Sequence, residues 1–243
     1  MRFADSLQAL FPEPRCPDQN GTAQNGLGLL LFDLDGTLIN SVPDLAAAVD
    51  AMLQQFGREP AGEERVSHWV GNGADQLIRR ALADGDEAAA NAFPASNIQP
   101  WRDAFDQAYL AALHQATGVY PGVEAFLKGI SLPKVLITNK PRLFTLPLLE
   151  SLGWSQYFSL VLCGDDLAEK KPSPLPLLHA CHEMKVSTDN ALMIGDSRHD
   201  IGAAKAARIK TVAVSYGYNH GESIALSQPD LLVDNLLQLV ASA

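Results

Sequence analysis

Short unbroken apolar runs alternate with stretches of helical periodicity over most of the chain. The first strong run, Leu27–Phe32, carries no polar residue, as a parallel strand buried on both faces requires. Similar runs recur at Lys134–Ile137, Ser159–Cys163, Ala191–Ile194, Thr211–Val214 and Leu231–Val233. Between or after them, apolar residues fall at helical spacing over Val123–Ile130, Leu143–Leu152, Leu175–Met184, Ile201–Ala207 and Asn235–Ala241. The alternation predicts an α/β protein built on a parallel sheet, with right-handed crossovers. From about Pro43 to Thr117 it is interrupted. That stretch holds only helical patterns, at Leu45–Phe56, Ala74–Ala83 and Trp101–Gln115, and no convincing strand. A helical insertion directly after the first strand predicts a cap or lid. Residues 12–26 are rich in Pro, Gly, Asn and Gln, which predicts a flexible lead-in. Ahead of them Phe3, Leu7, Leu10 and Phe11 fall at helical spacing. They predict a short helix or frayed tail lying on the core, with a partner-docking peptide as the alternative.

Composition narrows the class. A chain of 243 residues is one large domain, or one domain carrying a smaller one, at roughly 100–200 residues per domain. It can bury a core without disulfides or structural metal. Its 18 Lys and Arg against 28 Asp and Glu give a formal net charge of −10, which argues against a broad nucleic-acid or anionic-membrane footprint. Aromatic residues are few and form no stacking stripe. Three scattered cysteines, Cys16, Cys163 and Cys181, point to a reducing compartment. No apolar run approaches the roughly 20 residues that span a bilayer, and the start of the chain has no apolar core of signal-peptide length. The expectation is a soluble cytoplasmic protein with neither a nucleic-acid nor a membrane partner.

Four short segments carry candidate chemistry, each beside a predicted strand end. Asp33-Leu34-Asp35-Gly36-Thr37-Leu38 directly follows the first strand. Ligands of open α/β folds bind at the carboxyl ends of strands. Two carboxylates two residues apart point to the same side while the chain is extended. They repel unless a cation or proton lies between them, and Mg²⁺ suits hard oxygen ligands. A turn or calcium loop is the alternative, disfavoured by the buried strand. In Gly195-Asp196-Ser197-Arg198-His199-Asp200, Asp196 can complete an acidic cluster with Asp33 and Asp35. Asp200 is expected as a helix N-terminal acid or as a support for the metal ligands. Thr138 and Asn139 offer a hydroxyl and a backbone N–H after a strand, although Thr-Asn is also ordinary turn chemistry. Lys171-Pro172 precedes a helix expected to start near Ser173, and the lysine would offset local negative charge or stand solvated on the surface.

The order D-x-D-G-T, T-N, K-P, G-D-x-x-x-D resembles the haloacid dehalogenase superfamily of phosphatases from about Leu27 onward. Further strings resemble its bacterial phosphoglycolate phosphatase branch: Phe32–Asn40 with Ser41-Val42-Pro43-Asp44-Leu45, Val70-Gly71-Asn72-Gly73-Ala74, Tyr120-Pro121-Gly122-Val123, Lys170–Pro174 and Tyr216–Glu222. The resemblance implies a Rossmann-like core, 27–42 and 118–243, with an inserted helical cap, 43–117, after an N-terminal extension, 1–26. It implies Mg²⁺-dependent hydrolysis of a small phosphate monoester, 2-phosphoglycolate. Asp33 would be the nucleophile that forms an aspartyl-phosphate, and Asp35 the acid and base. The Asp33 and Asp196 carboxylates and the Asp35 backbone carbonyl would hold Mg²⁺. Thr138, Asn139 and Lys171 would hold the phosphoryl oxygens. The alternatives are another small sugar or acid phosphate, phosphoglucomutase-like phosphoryl transfer, or a catalytically idle phosphate-binding module. Substrate choice is expected from the cap, at Gly71, Asn72 and Gly73. Arg79 and Arg80 are candidates for a substrate carboxylate, against a reading as solvated helix arginines. The first 26 residues extend beyond the usual family start, and Tyr120–Lys134 is shorter than in typical members, which leaves its helix open. His179 and His182 are read as bland surface residues and His220 as a candidate neighbour of the site.

Overall fold

The computed structural model describes residues 2–11 and 26–241. The expected lead-in at residues 12–26, apart from Gly26, and Cys16 lie outside the described residues. Helix α1 (Asp5–Gln8) precedes strand β1 (Leu29–Phe32) and the short β2 (Ile39–Asn40). The insertion follows as α2 (Val42–Gln55), α3 (Glu63–Trp69), α4 (Ala74–Leu82), α5 (Glu87–Ala92) and α6 (Gln99–Ala112). Then come β3 (Gly118–Val119), α7 (Val123–Gly129), β4 (Lys134–Ile137), α8 (Arg142–Ser151) and β5 (Leu160–Leu162). The chain closes with α9 (Leu175–Met184), β6 (Ala191–Gly195), α10 (Arg198–Ala206), β7 (Lys210–Val214) and β8 (Leu231–Val233).

Among the described residues, six parallel strands form one sheet in the order β5-β4-β1-β6-β7-β8. The strand order reverses at β1, which lies between β4 and β6. Every residue of β1 is sealed from solvent, and its alternate side chains enter different cores. Leu30 and Phe32 pack with Val123, Phe126 and Leu148 from α7 and α8. Leu29 and Leu31 pack with Leu177, Ala180 and Ala203 from α9 and α10. This is the period-two geometry of a strand covered on both faces. It fixes the register, because a slip of one residue would exchange the two cores.

The N-terminal segment lies on the first of these cores. Leu7 is buried in it, Phe3, Leu10 and Phe11 pack against it, and Phe3 bridges Val240. Two expectations are corrected and one left open is settled. Asn235–Ala241 is not a full helix: Asn235 caps a single 3₁₀ turn, Leu236–Leu239, and a four-residue turn is enough to bury Leu236 and Leu239. The helix after Lys171-Pro172 starts at Leu175, with Pro176 rather than Pro172 in its first turn. The short Tyr120–Lys134 segment does form a helix, α7, which buries Val123, Phe126 and Leu127.

The inserted helices α2, α3, α4 and α6 enclose a core of their own, around Val49, Met52, Val66, Ile78, Phe105 and Tyr109. Phe144 of α8 joins it from below, edge-on to Phe105 and Tyr109. Helices α3 and α5 carry too little apolar periodicity over seven and six residues to register in the sequence. Two-residue strands β2 and β3 pair antiparallel where the chain leaves and re-enters the sheet domain. Asp44 ties the same junction by accepting from the backbone N–H groups of Ala116 and Thr117 and from the Thr117 hydroxyl.

Candidate active site

The carboxyl ends of β1, β4 and β6 open into a pocket that the inserted helices roof. Asp33 leaves β1 immediately past its last residue, and its carboxylate lies 2.7 Å from Lys171 Nζ. Lys171 also donates to Asp200 Oδ1 and to the Ile137 carbonyl, both at 2.6 Å, so all three of its N–H bonds are engaged. Burial alone would push this ammonium down, but Asp200 and Asp33 hold it above the ordinary lysine range. It is a permanent cation at the foot of the pocket, with its side chain 2% exposed.

Asp196 follows β6, beside Asp33. Thr37 donates to its Oδ1 at 2.7 Å, and the Tyr218 backbone N–H donates to its Oδ2 at 2.8 Å. Burial and the Asp200 charge push it up to about 7. Asp33 is also raised well above the ordinary carboxylate range, by burial first, against the pull of Lys171, with Asp200 and Asp196 adding to the rise. Gly36 is required for the approach of the first turn to Asp196. Its φ is +90°, and a Cβ there would lie 2.2 Å from Asp196 Oδ2.

One carboxylate oxygen of each of Asp33, Asp196 and Asp200 lies within 4.8 Å of the other two. Their environments differ. Both Asp200 oxygens are occupied, Oδ1 by Lys171 and Oδ2 by the Ser197 backbone N–H and hydroxyl. Asp200 is thus at once the acid of a capping box on α10 and the clamp on Lys171. Among the pocket's ionisable side chains, Asp33, Asp35, Asp196 and Asp200 face only Lys140 and Lys171 as permanent cations. A divalent cation would balance that excess. Hard carboxylate oxygens on Asp33 and Asp196 are the donor type that Mg²⁺ takes.

Asp35 points into the same pocket with partners of its own. Its Oδ1 accepts from the Ser41 hydroxyl at 2.5 Å and from Lys140 Nζ at 2.9 Å. Thr138 and Asn139 line the pocket at the end of β4. Thr138 Oγ1 accepts from the Lys140 backbone N–H. Asn139 Nδ2 bridges the Lys171 carbonyl and the Gly71 carbonyl of the insertion.

The loop Gly71-Asn72-Gly73 thus docks on the sheet side of the pocket through the Gly71 and Asn72 carbonyls, which accept from Asn139 and Lys170, and through the Asn72 side chain. Gly73 has φ +83°, and a Cβ would meet the Asn139 carbonyl at 3.0 Å and Lys170 Nζ at 2.8 Å. The Asn72 side chain does not line the pocket: its oxygen accepts from Arg80 and its nitrogen pairs with His199, which does line it. Neither arginine is a solvated helix residue. Arg80 is buried, donating to the Trp69 carbonyl, Asn72 and Glu87. It therefore shapes the loop rather than facing the pocket. Arg79 is half-buried and does not line the pocket. His220 accepts Gly71 against its ring and lies 3.3 Å from His199, while His182 stands exposed beside Glu183.

Lys140, Tyr109, Tyr218 and His199 line the pocket although the sequence reading gave them no role. Lys140 follows Thr-Asn directly, so its place at a strand end was a usable signal. Tyr109 lies on α6, 31 residues away from Lys140 in sequence, and only the tertiary fold brings it there. Burial first, and His220 second, push His199 down to about 4, so it is neutral at pH 7.

The chain belongs to the haloacid dehalogenase-like hydrolase family, whose model matches residues 30–214. It is 48% identical over 216 residues to the phosphoglycolate phosphatase of Pseudomonas fluorescens strain Pf0-1, covering 87% of this chain and 78% of that one. It is 43% identical over 221 residues to the phosphoglycolate phosphatase of Nitrosococcus oceani, covering 87% and 94%. Among solved structures, a predicted phosphoglycolate phosphatase from Haemophilus somnus 129PT superposes with a TM-score of 0.80 at 34% identity, covering 86% and 94%. Family and relatives together make the chain an enzyme, a phosphoric monoester hydrolase. Among the described residues no helix is long and apolar enough to cross a membrane.

Proposed function

We propose that the protein hydrolyses 2-phosphoglycolate to glycolate and phosphate through a phosphorylated Asp33, with Mg²⁺ held by the Asp33 and Asp196 carboxylates and the Asp35 backbone carbonyl. The observation that carries the reading is the Asp33 carboxylate at the end of β1, 2.7 Å from a sealed lysine and grouped with Asp196 and Asp200. The names of the relatives supply the substrate.

Asp33 attacks phosphorus, and the ester oxygen departs as the Asp33–phosphorus bond forms. This divides hydrolysis into two displacements. Lys171, turning to the phosphoryl group the N–H that it otherwise gives Asp33, and Thr138, with the Asn139 backbone, receive the phosphoryl oxygens at positions already fixed by Asp200 and by the end of β4. Asp35 gives a proton to the departing oxygen and later takes one from the water that attacks the aspartyl-phosphate, help worth roughly 10²–10⁴-fold. When bound, the divalent cation supplies the positive charge that lets one anion approach another. The inserted helices act as the cap over this chemistry.

A panel of phosphate monoesters assayed with Mg²⁺ tests the reading. Glycolate and phosphate should be released in equal amounts from 2-phosphoglycolate, with kcat/KM roughly tenfold or more above that for sugar phosphates. A sugar phosphate turned over faster would overturn the substrate. No turnover of any monoester would leave only an idle phosphate-binding module.

A further inference from the structure

Lys140 and Tyr109 form a polar pair that phosphoryl chemistry leaves unused. Lys140 Nζ lies 2.6 Å from the Tyr109 hydroxyl oxygen and 2.9 Å from Asp35 Oδ1. Those are its two hydrogen-bond partners among the described residues, so one of its three N–H bonds is uncommitted. Tyr109 accepts from Lys140, and its own O–H donates to no acceptor among the described residues. The phenol keeps its proton, because burial pushes it up to about 12.

The surroundings make these two donors conspicuous. Of the insertion residues lining the pocket, Tyr109 alone carries a polar side-chain atom among the described residues. Leu45, Leu77, Phe105 and Phe144 form the wall beside it. A carboxylate placed against that wall without a partner would lose its hydration for nothing in return. The pair is also attached to Asp35, the group that faces the departing oxygen under the function proposed above. In 2-phosphoglycolate a single methylene separates that oxygen from the carboxylate carbon. A group bonded to Asp35 therefore stands where the carboxylate must lie.

We infer that Lys140 and Tyr109 are the specificity-determining residues that recognise the carboxylate of the departing acid, one oxygen on the Lys140 ammonium and the other on the Tyr109 hydroxyl. Lys140 belongs to the sheet domain and Tyr109 to the insertion, so the carboxylate bridges the two. This inference rests on the function proposed above and names how that site selects its substrate.

The test compares 2-phosphoglycolate with 2-hydroxyethyl phosphate, in which a hydroxymethyl group replaces the carboxylate, in wild type, Lys140→Met, Lys140→Arg and Tyr109→Phe. Charge-assisted bonds of this kind support roughly a 10–100-fold preference. The wild type should favour 2-phosphoglycolate. In Lys140→Met the ratio of the two kcat/KM values should fall about 30-fold, equivalent to about 2 kcal/mol. Tyr109→Phe should lower the ratio by about 3–10-fold, and Lys140→Arg should retain part of it. Should Lys140→Met fail to fold, Tyr109→Phe removes a single oxygen and carries the same comparison. An unchanged ratio, with both substrates slowed together, would overturn the inference and leave Lys140 as a support for Asp35. A wild type that hydrolyses both esters equally well would overturn it while leaving a phosphatase. A wild type that hydrolyses neither would overturn the proposed function, and this inference with it.

Discussion

Asp200 and Lys171 hold each other 2.6 Å apart with both side chains sealed from solvent. The carboxylate also closes the first turn of α10 through Ser197, so one residue fixes both a helix start and the cation of the pocket. Removing one partner of such a pair leaves a buried charge unbalanced. Asp200→Ala should therefore cost about 3–5 kcal/mol of stability and lower kcat far more than a surface substitution would. Urea unfolding and steady-state kinetics on the same preparation measure both. A variant as stable as wild type would mean that the pair holds nothing in place.

Acid should stabilise the metal-free site. Asp196 is pushed up to about 7 by burial and the Asp200 charge, from an ordinary 3.8. The folded protein therefore keeps a proton there that the unfolded chain releases above about pH 4. The stability this contributes is full below about pH 4 and is lost as pH rises through about 7. Relative to Asp196→Asn, metal-free wild type should lose stability between about pH 5 and 8. Mg²⁺ should recover it most at the upper end, where the carboxylate is free to bind. Urea midpoints for both proteins across that range, with and without Mg²⁺, read the effect. A difference that stays flat with pH would contradict the charge state assigned to Asp196.

Gly36 leaves no room for a side chain. A Cβ would lie 2.2 Å from Asp196 Oδ2, at a φ of +90° that L residues rarely adopt. Gly36→Ala should displace the Asp196 carboxylate and raise the Mg²⁺ concentration for half-maximal activity roughly 10–100-fold. An unaltered Mg²⁺ titration would remove Asp196 from the set that holds the ion.

Arg80 should act on the substrate through the glycine loop. Its guanidinium donates to the Trp69 carbonyl and to Asn72, immediately flanking Val70 and Gly71. Arg80→Ala leaves those acceptors without their donor, at a cost of about 1–3 kcal/mol. It should raise KM for the substrate more than it lowers kcat, because the loop touches Asn139 and not the reacting carboxylates. Equal effects on both constants would place Arg80 in the chemistry instead.

The central strands β1, β4 and β6 were legible because each is buried on both faces, so its run is almost wholly apolar. Residues at strand ends, such as Asp33, Thr138 and Asp196, inherit their positions from those runs. The short helices α3 and α5 were not legible, since six or seven residues give fewer than two full turns of periodicity. Arg80 was misread for a different reason. An arginine on an amphipathic helix reads as solvated, but its burial depends on Glu87 seven residues on and on the Trp69 carbonyl. The Lys140–Tyr109 contact likewise joins the end of β4 to the inserted helix α6, and no local pattern encodes such a contact.

Trapping the phosphorylated enzyme tests the central claim most directly. Asp35→Asn should leave nitrophenolate departure from nitrophenyl phosphate largely intact, because that group leaves without a proton, and should slow the attack of water that follows. Rapid mixing with Mg²⁺ should then release a burst of nitrophenolate close to one per active site. Mass spectrometry of the quenched protein should find one added phosphoryl group, on the peptide that carries Asp33 and absent from Asp33→Asn. No burst, or a phosphoryl group on any other residue, would contradict Asp33 as the nucleophile.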